Sequence, residues 1–191
     1  MFAETLKYWT KRKKTFGDKS VGNVAEDHVK QGAAIGMELT KLLGDRFWMH
    51  GLDYGCGWGR ITPYLTPHCG HLWALDLFSD WTDRVNATAP TVTASTISGY
   101  KLPFPDRTFD VVFDIMTLQS VNEKDREQAA GELARVTEVG GTIFTLCKQE
   151  IARADDSAIV KWLDVRDDLW CNLDTIDKKR ELYCLIRGTK L

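Results

Sequence analysis

Apolar residues along this chain fall into short solid runs, separated by stretches in which they recur every three or four positions. The runs Phe47–Asp53, Leu72–Asp76, Val92–Ile97, Phe109–Ile115 and Thr142–Leu146 are too short for buried helices, so they predict strands covered on both faces. From Glu26 to Leu43, the positions Val29, Gly32, Ala33, Gly36, Met37, Thr40 and Leu43 follow helical spacing, with Gly44 as the stop. The small residues on that face suit a helix lying close to a sheet. A short helix after the first strand breaks near Pro67. Ser79 is placed to cap a helix running to about Asn86. Asn122 is placed to cap a helix from Glu123 to Glu138, which Gly140-Gly141 ends. This alternation predicts a parallel sheet with helices on both faces. The tail departs from it: a short helix near Asp156–Val165, a strand near Leu169–Ile176, a turn at Asp177-Lys178-Lys179 and a strand Arg180–Arg187. Strands joined by so short a turn run antiparallel.

The first strand runs into Gly51-Leu52-Asp53-Tyr54-Gly55-Cys56-Gly57-Trp58-Gly59-Arg60. Glycines let a backbone turn sharply and approach a ligand closely, and the following helix offers its unpaired N–H groups. A dinucleotide fingerprint needs G-x-G-x-x-G, but here Arg60 stands at the third glycine's place and Gly59 falls one position early. A nicotinamide oxidoreductase is therefore a distant reading. Asp53, two places before the first glycine, directs negative charge toward the ligand and suits a cation better than a pyrophosphate. Asp76 closes the second strand at the distance where a carboxylate reads ribose hydroxyls. A ligand with a ribose and a positive charge but no phosphate satisfies both, and S-adenosylmethionine is such a ligand.

Four landmarks in order carry a resemblance. They are Leu52–Arg60, Ala74-Leu75-Asp76-Leu77, the pair Leu102–Asp106 and Phe109–Asp114, and Leu133-Ala134-Arg135-Val136 before Gly140-Gly141-Thr142. With them the chain resembles the class I S-adenosylmethionine-dependent methyltransferases over most of its length. The resemblance implies a seven-stranded Rossmann-like sheet, parallel but for one antiparallel C-terminal strand, in a single domain over residues 1–191. Residues 1–45 would be a helical lead or lid and 46–191 the sheet core. It implies cofactor contacts from Asp53, Gly55, Cys56, Gly57, Asp76, Leu77, Ser98, Gly99, Asp114 and Ile115, with S-adenosylhomocysteine as product. It further implies that Met116–Val121, Gln119 included, lines the acceptor side. Two departures stand out. Ser98 occupies a place where similar enzymes carry an acidic residue for the adenine amino group. Ser120 stands where many small-molecule enzymes have a histidine, so the catalytic residue stays unassigned. Methyl transfer from an activated sulfonium draws most of its acceleration from positioning, which makes that loss tolerable.

Composition narrows the partners. At 191 residues with 43% hydrophobic and 27% charged positions, the chain fits one soluble globular domain, without a membrane span or a secretory leader. Five scattered cysteines without a C-x-x-C pair read as reduced thiols of a cytoplasmic protein, with Cys147 and Cys184 as small core residues. His68-Cys69-Gly70-His71 is spaced poorly for a metal and sits at the sheet end opposite the glycine loop; no metal site is expected. Residues 1–20 hold six basic side chains against two acidic ones, leaving −6 for the remainder of a chain of net charge −2. That arm could steer an anionic acceptor or dock nucleic acid, although a solvated helix face explains a run this short more simply. Tyr8, Trp9 and Phe16, interleaved with those charges, could form a lid, stack on an acceptor, or pack the first helix. After the fourth strand, Asp114-Ile115-Met116-Thr117 is not the Asp/Asn-Pro-Pro-aromatic loop of amino-methylating DNA enzymes, and no cysteine follows a proline. A small-molecule or metabolite-like acceptor is the leading reading. The alternatives are a nucleic-acid or protein methyltransferase using the basic arm, and an inactive cofactor-binding protein.

Overall fold

In a computed structural model the protein is described for residues 2–21, 28–148, 171–172 and 183–189, the last two segments as backbone only. Five strands form the parallel heart of the sheet: β1 (Trp48–Tyr54), β2 (Cys69–Asp76), β3 (Val92–Thr96), β4 (Phe109–Ile115) and β5 (Thr137–Lys148). They lie side by side as β3-β2-β1-β4-β5, each pair parallel. Beyond β5, the segment β7 (Tyr183–Thr189) pairs antiparallel with it, and the two-residue β6 (Cys171–Asn172) pairs antiparallel with β7. The expected helix at Asp156–Val165 and the turn at 177–179 lie outside the described residues, as does most of the strand expected at Leu169–Ile176.

Helices α1 (Phe2–Phe16), α2 (His28–Leu43), α3 (Thr62–Leu65), α4 (Ser79–Thr88) and α5 (Glu123–Val136) cover the sheet and its ends. On one face Ile35, Leu39 and Leu43 of α2 pack with Leu72, Val111 and Phe113; on the other Ala129, Ala130 and Leu133 of α5 pack with Leu52, Leu75 and Val112. Near-continuous apolar runs in the strands follow from this double coverage. The small residues of α2 serve a neighbour other than the sheet. A Cβ on Gly32 would lie 2.2 Å from Arg60 Cγ, and one on Gly36 would lie 2.2 Å from the Tyr64 ring. These glycines let α2 seat the segment that follows the glycine loop.

Three local expectations need correction. Phe78, not Ser79, is the N-cap of α4, and it makes no side-chain cap bond. The carboxylate of Asp76 instead accepts from the Leu77 and Phe78 N–H groups ahead of the helix. The helix before β5 ends at Val136 rather than Glu138, and Gly140-Gly141 lies inside the strand. There the register slips: Phe109 pairs with Thr137 but Val111 pairs with Thr142, and Gly140 at φ 82° absorbs the extra residues. Asn122 does cap α5, accepting from Lys124 N at 3.1 Å. Among the described residues no helix is long and apolar enough to cross a membrane.

Candidate active site

Parallel strands all present their carboxyl ends to one side, and ligands bind in the crevice there. Here β1 delivers Asp53 and Tyr54 into the loop Gly55–Gly59, where Gly55, Gly57 and Gly59 have φ of 77°, 55° and 86°. The loop is tied to the end of β2: Gly55 N and Cys56 N donate to Leu75 O at 2.7 and 2.9 Å, and Gly57 N donates to Asp76 Oδ2 at 2.8 Å. Opposite stands the segment after β4, so close that a Cβ on Gly55 would lie 2.1 Å from Thr117 Oγ1. A glycine is required there by space as well as by conformation.

Over this loop lies a cavity open to solvent, with about 900 Å3 of empty space once the solvent at its mouth is included. Its floor includes Asp53, Gly55, Cys56, Gly57, Asp76, Leu77 and Ile115. Helix α1 roofs it with Phe2, Thr5 and Trp9, and α4 contributes Trp81. Only Thr5 of α1 is buried, so the roof is held by side-chain ties rather than by an apolar stripe. Thr5 Oγ1 bonds Tyr100 Oη at 2.8 Å; Phe2 sets its ring edge-on to Tyr100 at 5.2 Å. At the other end Lys13 pairs with Asp80 and stands 4.4 Å over the Phe78 ring and 4.8 Å over that of Trp81. Beyond it, Arg84 pairs with Asp18 at 2.8 Å.

Three buried carboxyls shape the electrostatics. Burial lifts Asp53 to about 7, against a 2.7 Å bond from Thr62 Oγ1 that pulls it down, while the charge of Asp76 pushes it further up. Burial also raises Asp76, opposed by N–H bonds from Gly57, Leu77 and Phe78 and by the charge of Lys13. Asp114 is likewise raised to about 7 by burial, although it accepts from Thr117 N and Leu118 N at 3.1 and 2.8 Å. Of the three, Asp53 and Asp76 line the cavity, where a bound cation would favour their ionised forms. Burial also raises the Cys56 thiol well above its ordinary range, which disfavours the thiolate a nucleophile needs.

The cavity therefore fits an adenosyl sulfonium: two carboxylates for positive charge and ribose, rings for a base, and a cradle that a Cβ would fill. Residues 52–145 match the model of a methyltransferase domain. The chain carries a class I, S-adenosylmethionine-dependent methyltransferase domain. No curated protein matches it at a significant level. Among solved structures, it is similar to the N-methyltransferase NodS from Bradyrhizobium japonicum WM9 in complex with S-adenosylhomocysteine. That match has a TM-score of 0.67 and 17% identity, over 83% of this chain and 86% of that one. An S-adenosylmethionine-dependent methyltransferase from Mesorhizobium loti gives 0.67 and 15%, over 82% and 98%. Haemonchus contortus phosphoethanolamine N-methyltransferase 1, in complex with phosphoethanolamine and S-adenosylhomocysteine, gives 0.75 and 14%, over all of this chain but 49% of that one.

Of the cofactor residues expected in this methyltransferase, seven line the cavity: Asp53, Gly55, Cys56, Gly57, Asp76, Leu77 and Ile115. Ser98, Gly99 and Asp114 lie outside the lining, with Ser98 exposed and Asp114 turned inward to hold the turn after β4. Of the three acceptor-side candidates Trp9 lines the cavity, whereas Tyr8 points to solvent at 54% exposure with its ring edge-on to Trp9. Gln119 is half-buried outside the lining, and its carbonyl accepts from Arg126 Nη2 at 3.3 Å. Sequence reasoning missed Phe2, Thr5, Trp81 and Tyr100. The spacing of Phe2, Thr5, Trp9 and Lys13 along one helical face was the available signal.

Proposed function

We propose that this methyltransferase moves the donor's methyl group to a small-molecule acceptor, working as a single domain in a reducing, cytoplasmic compartment. The observation that carries this is the roof. Helix α1 closes the cavity at both ends, with Phe2 and Thr5 against Tyr100 and Lys13 against Asp80. A chamber roofed along its length by one helix suits a donor and one compact second molecule. A polymer would need an open groove. Two of the six basic residues of the arm are turned to internal use: Lys13 pairs with Asp80, and Arg12 donates to Ser20 O at 2.7 Å while lying over the Trp9 and Phe16 rings. Cys56 and Cys69 are free thiols, and they are buried, as is Cys147, which suits a reducing compartment. The antiparallel pairing of β7 with β5 favours the full seven-stranded family sheet.

In this reading Asp53 faces the donor's cationic end and Asp76 its ribose. Oδ1 of Asp76 already accepts two N–H bonds, from Leu77 and Phe78, and Oδ2 one, from Gly57, so Oδ2 keeps room for one hydroxyl. Leu77 packs on the adenine. When bound, the donor supplies an activated methyl group; the chain orients it and excludes water. Calorimetry of S-adenosylhomocysteine against cofactor-free protein tests the donor site, and a screen for donor-dependent methylation of metabolites tests the reaction. Binding with salt-independent turnover is expected. A steep loss of RNA or DNA binding with salt, without metabolite turnover, would replace this reading with a nucleic-acid substrate.

A further inference from the structure

Outside the two carboxylates of the floor, the cavity wall contains one chain of hydrogen bonds whose direction is fixed by its ends. Asn122 N can only donate, and it donates to Thr5 Oγ1 at 3.1 Å. At the far end Asp125 Oδ2 accepts from Tyr100 Oη at 3.2 Å. Thr5 and Tyr100 share a 2.8 Å bond in which either could donate. Because the Tyr100 proton is committed to Asp125, the Thr5 proton must go to Tyr100. Both hydroxyl protons are thus spent inside the wall. Thr5 and Tyr100, 6% and 5% exposed, both line the cavity. After these bonds each hydroxyl oxygen keeps no proton and one lone pair for a ligand, beside an 8% exposed carboxylate. Around them stand the Phe2 and Trp9 rings and Val121.

We infer that Thr5 and Tyr100 form the acceptor subsite, and that it takes a compact, apolar-bodied molecule presenting an N–H or O–H, an amine or alcohol rather than a carboxylate. The inference rests on the donor reading above and assigns the second occupant of the same chamber. A lone-pair wall attracts a hydrogen-bearing nucleophile and repels an anion that can only accept. Asp125 is a positioning residue here, acting through Tyr100. Removing the Tyr100 hydroxyl releases the Thr5 proton to turn into the cavity, which converts an acceptor wall into a donor.

The test is calorimetric binding of benzylamine, benzyl alcohol and benzoate to the full chain saturated with S-adenosylhomocysteine. Wild type should bind the amine and the alcohol at least about tenfold more tightly than benzoate. Thr5→Val should weaken that preference at least about threefold, since Tyr100 still accepts but Asn122 N loses its partner, and Tyr100→Phe should improve benzoate binding relative to wild type. In both variants affinity for S-adenosylhomocysteine should stay within about twofold, which a collapsed roof would not allow. Equal binding of the three probes, or no binding of the amine and alcohol, overturns the subsite while leaving the donor reading intact. A large loss of S-adenosylhomocysteine affinity in Thr5→Val also overturns it, by moving the wall to the donor side. A wild type that does not bind S-adenosylhomocysteine overturns both readings.

Discussion

Replacing Asp53 with Asn should stabilise the cofactor-free protein at alkaline pH while weakening its hold on the donor. The folded-state carboxyl stands at about 7, against an ordinary value of 3.8. Between those two values the folded chain keeps a proton that the unfolded chain has lost. Stability therefore falls as pH rises through this window, and the contribution is gone once pH passes about 7. A displacement of about three units, at 1.36 kcal/mol each, corresponds to about 4 kcal/mol. Asn at this position keeps an oxygen for the Thr62 hydroxyl, which bonds Asp53 Oδ2 at 2.7 Å, but has no charge to bury. Asp114 is raised in the same way and stays in place, so the variant retains part of the pH dependence.

Urea unfolding of cofactor-free protein at pH 5 and pH 8, extrapolated linearly, measures the effect. At pH 5 the variant should already be ahead by about 1.6 kcal/mol, because the unfolded chain loses its proton from 3.8 upward while the folded carboxyl stays neutral. At pH 8 the variant should be more stable by several kcal/mol, up to the figure of about 4. The donor behaves oppositely. A cation favours the ionised carboxylate, so wild-type affinity for S-adenosylmethionine should climb between pH 6 and pH 8 with release of a proton. The variant should bind more weakly and without that slope. A stability difference that is the same at pH 5 and pH 8 would refute the assignment of Asp53 as a carboxyl kept costly for a cation.

Gly55→Ala places a methyl 2.1 Å from Thr117 Oγ1 at a φ of 77°; we expect a stability loss of at least about 1–3 kcal/mol and loss of S-adenosylhomocysteine binding, read by thermal unfolding and calorimetry. Cys56 should resist iodoacetamide in the native protein at pH 8 and react once urea opens the fold, because burial raises its thiol; peptide mapping that found it alkylated natively would contradict the enclosed loop.

How much of this was legible from residues alone depends on the range of the interaction. Strand β4 was readable as Phe109–Ile115 because seven consecutive residues, most of them apolar, can only be a strand covered on both faces. The glycine loop was readable because its conformational demand is local, and Asp76 because its distance from the loop is set by one crossover. Gly140-Gly141 reads in sequence as a helix stop, since nothing in a linear pattern tells a stop from a bulge between a helix and the strand it feeds. Asp114 carries the same composition signal as Asp53, yet two backbone N–H groups turn it inward while Asp53 lines the cavity. The roof was hardest. Thr5 and Tyr100 are 95 positions apart, and neither belongs to a motif. Each reads alone as an ordinary hydroxyl, on a basic helix and in a loop. The direction of their shared bond exists only once Asn122 and Asp125 are brought alongside by α5. The proposed donor contacts sit in a contiguous loop and at the end of the next strand, and can be read there; the proposed acceptor wall draws on three distant elements, α1, the segment after β3 and α5, and requires the fold.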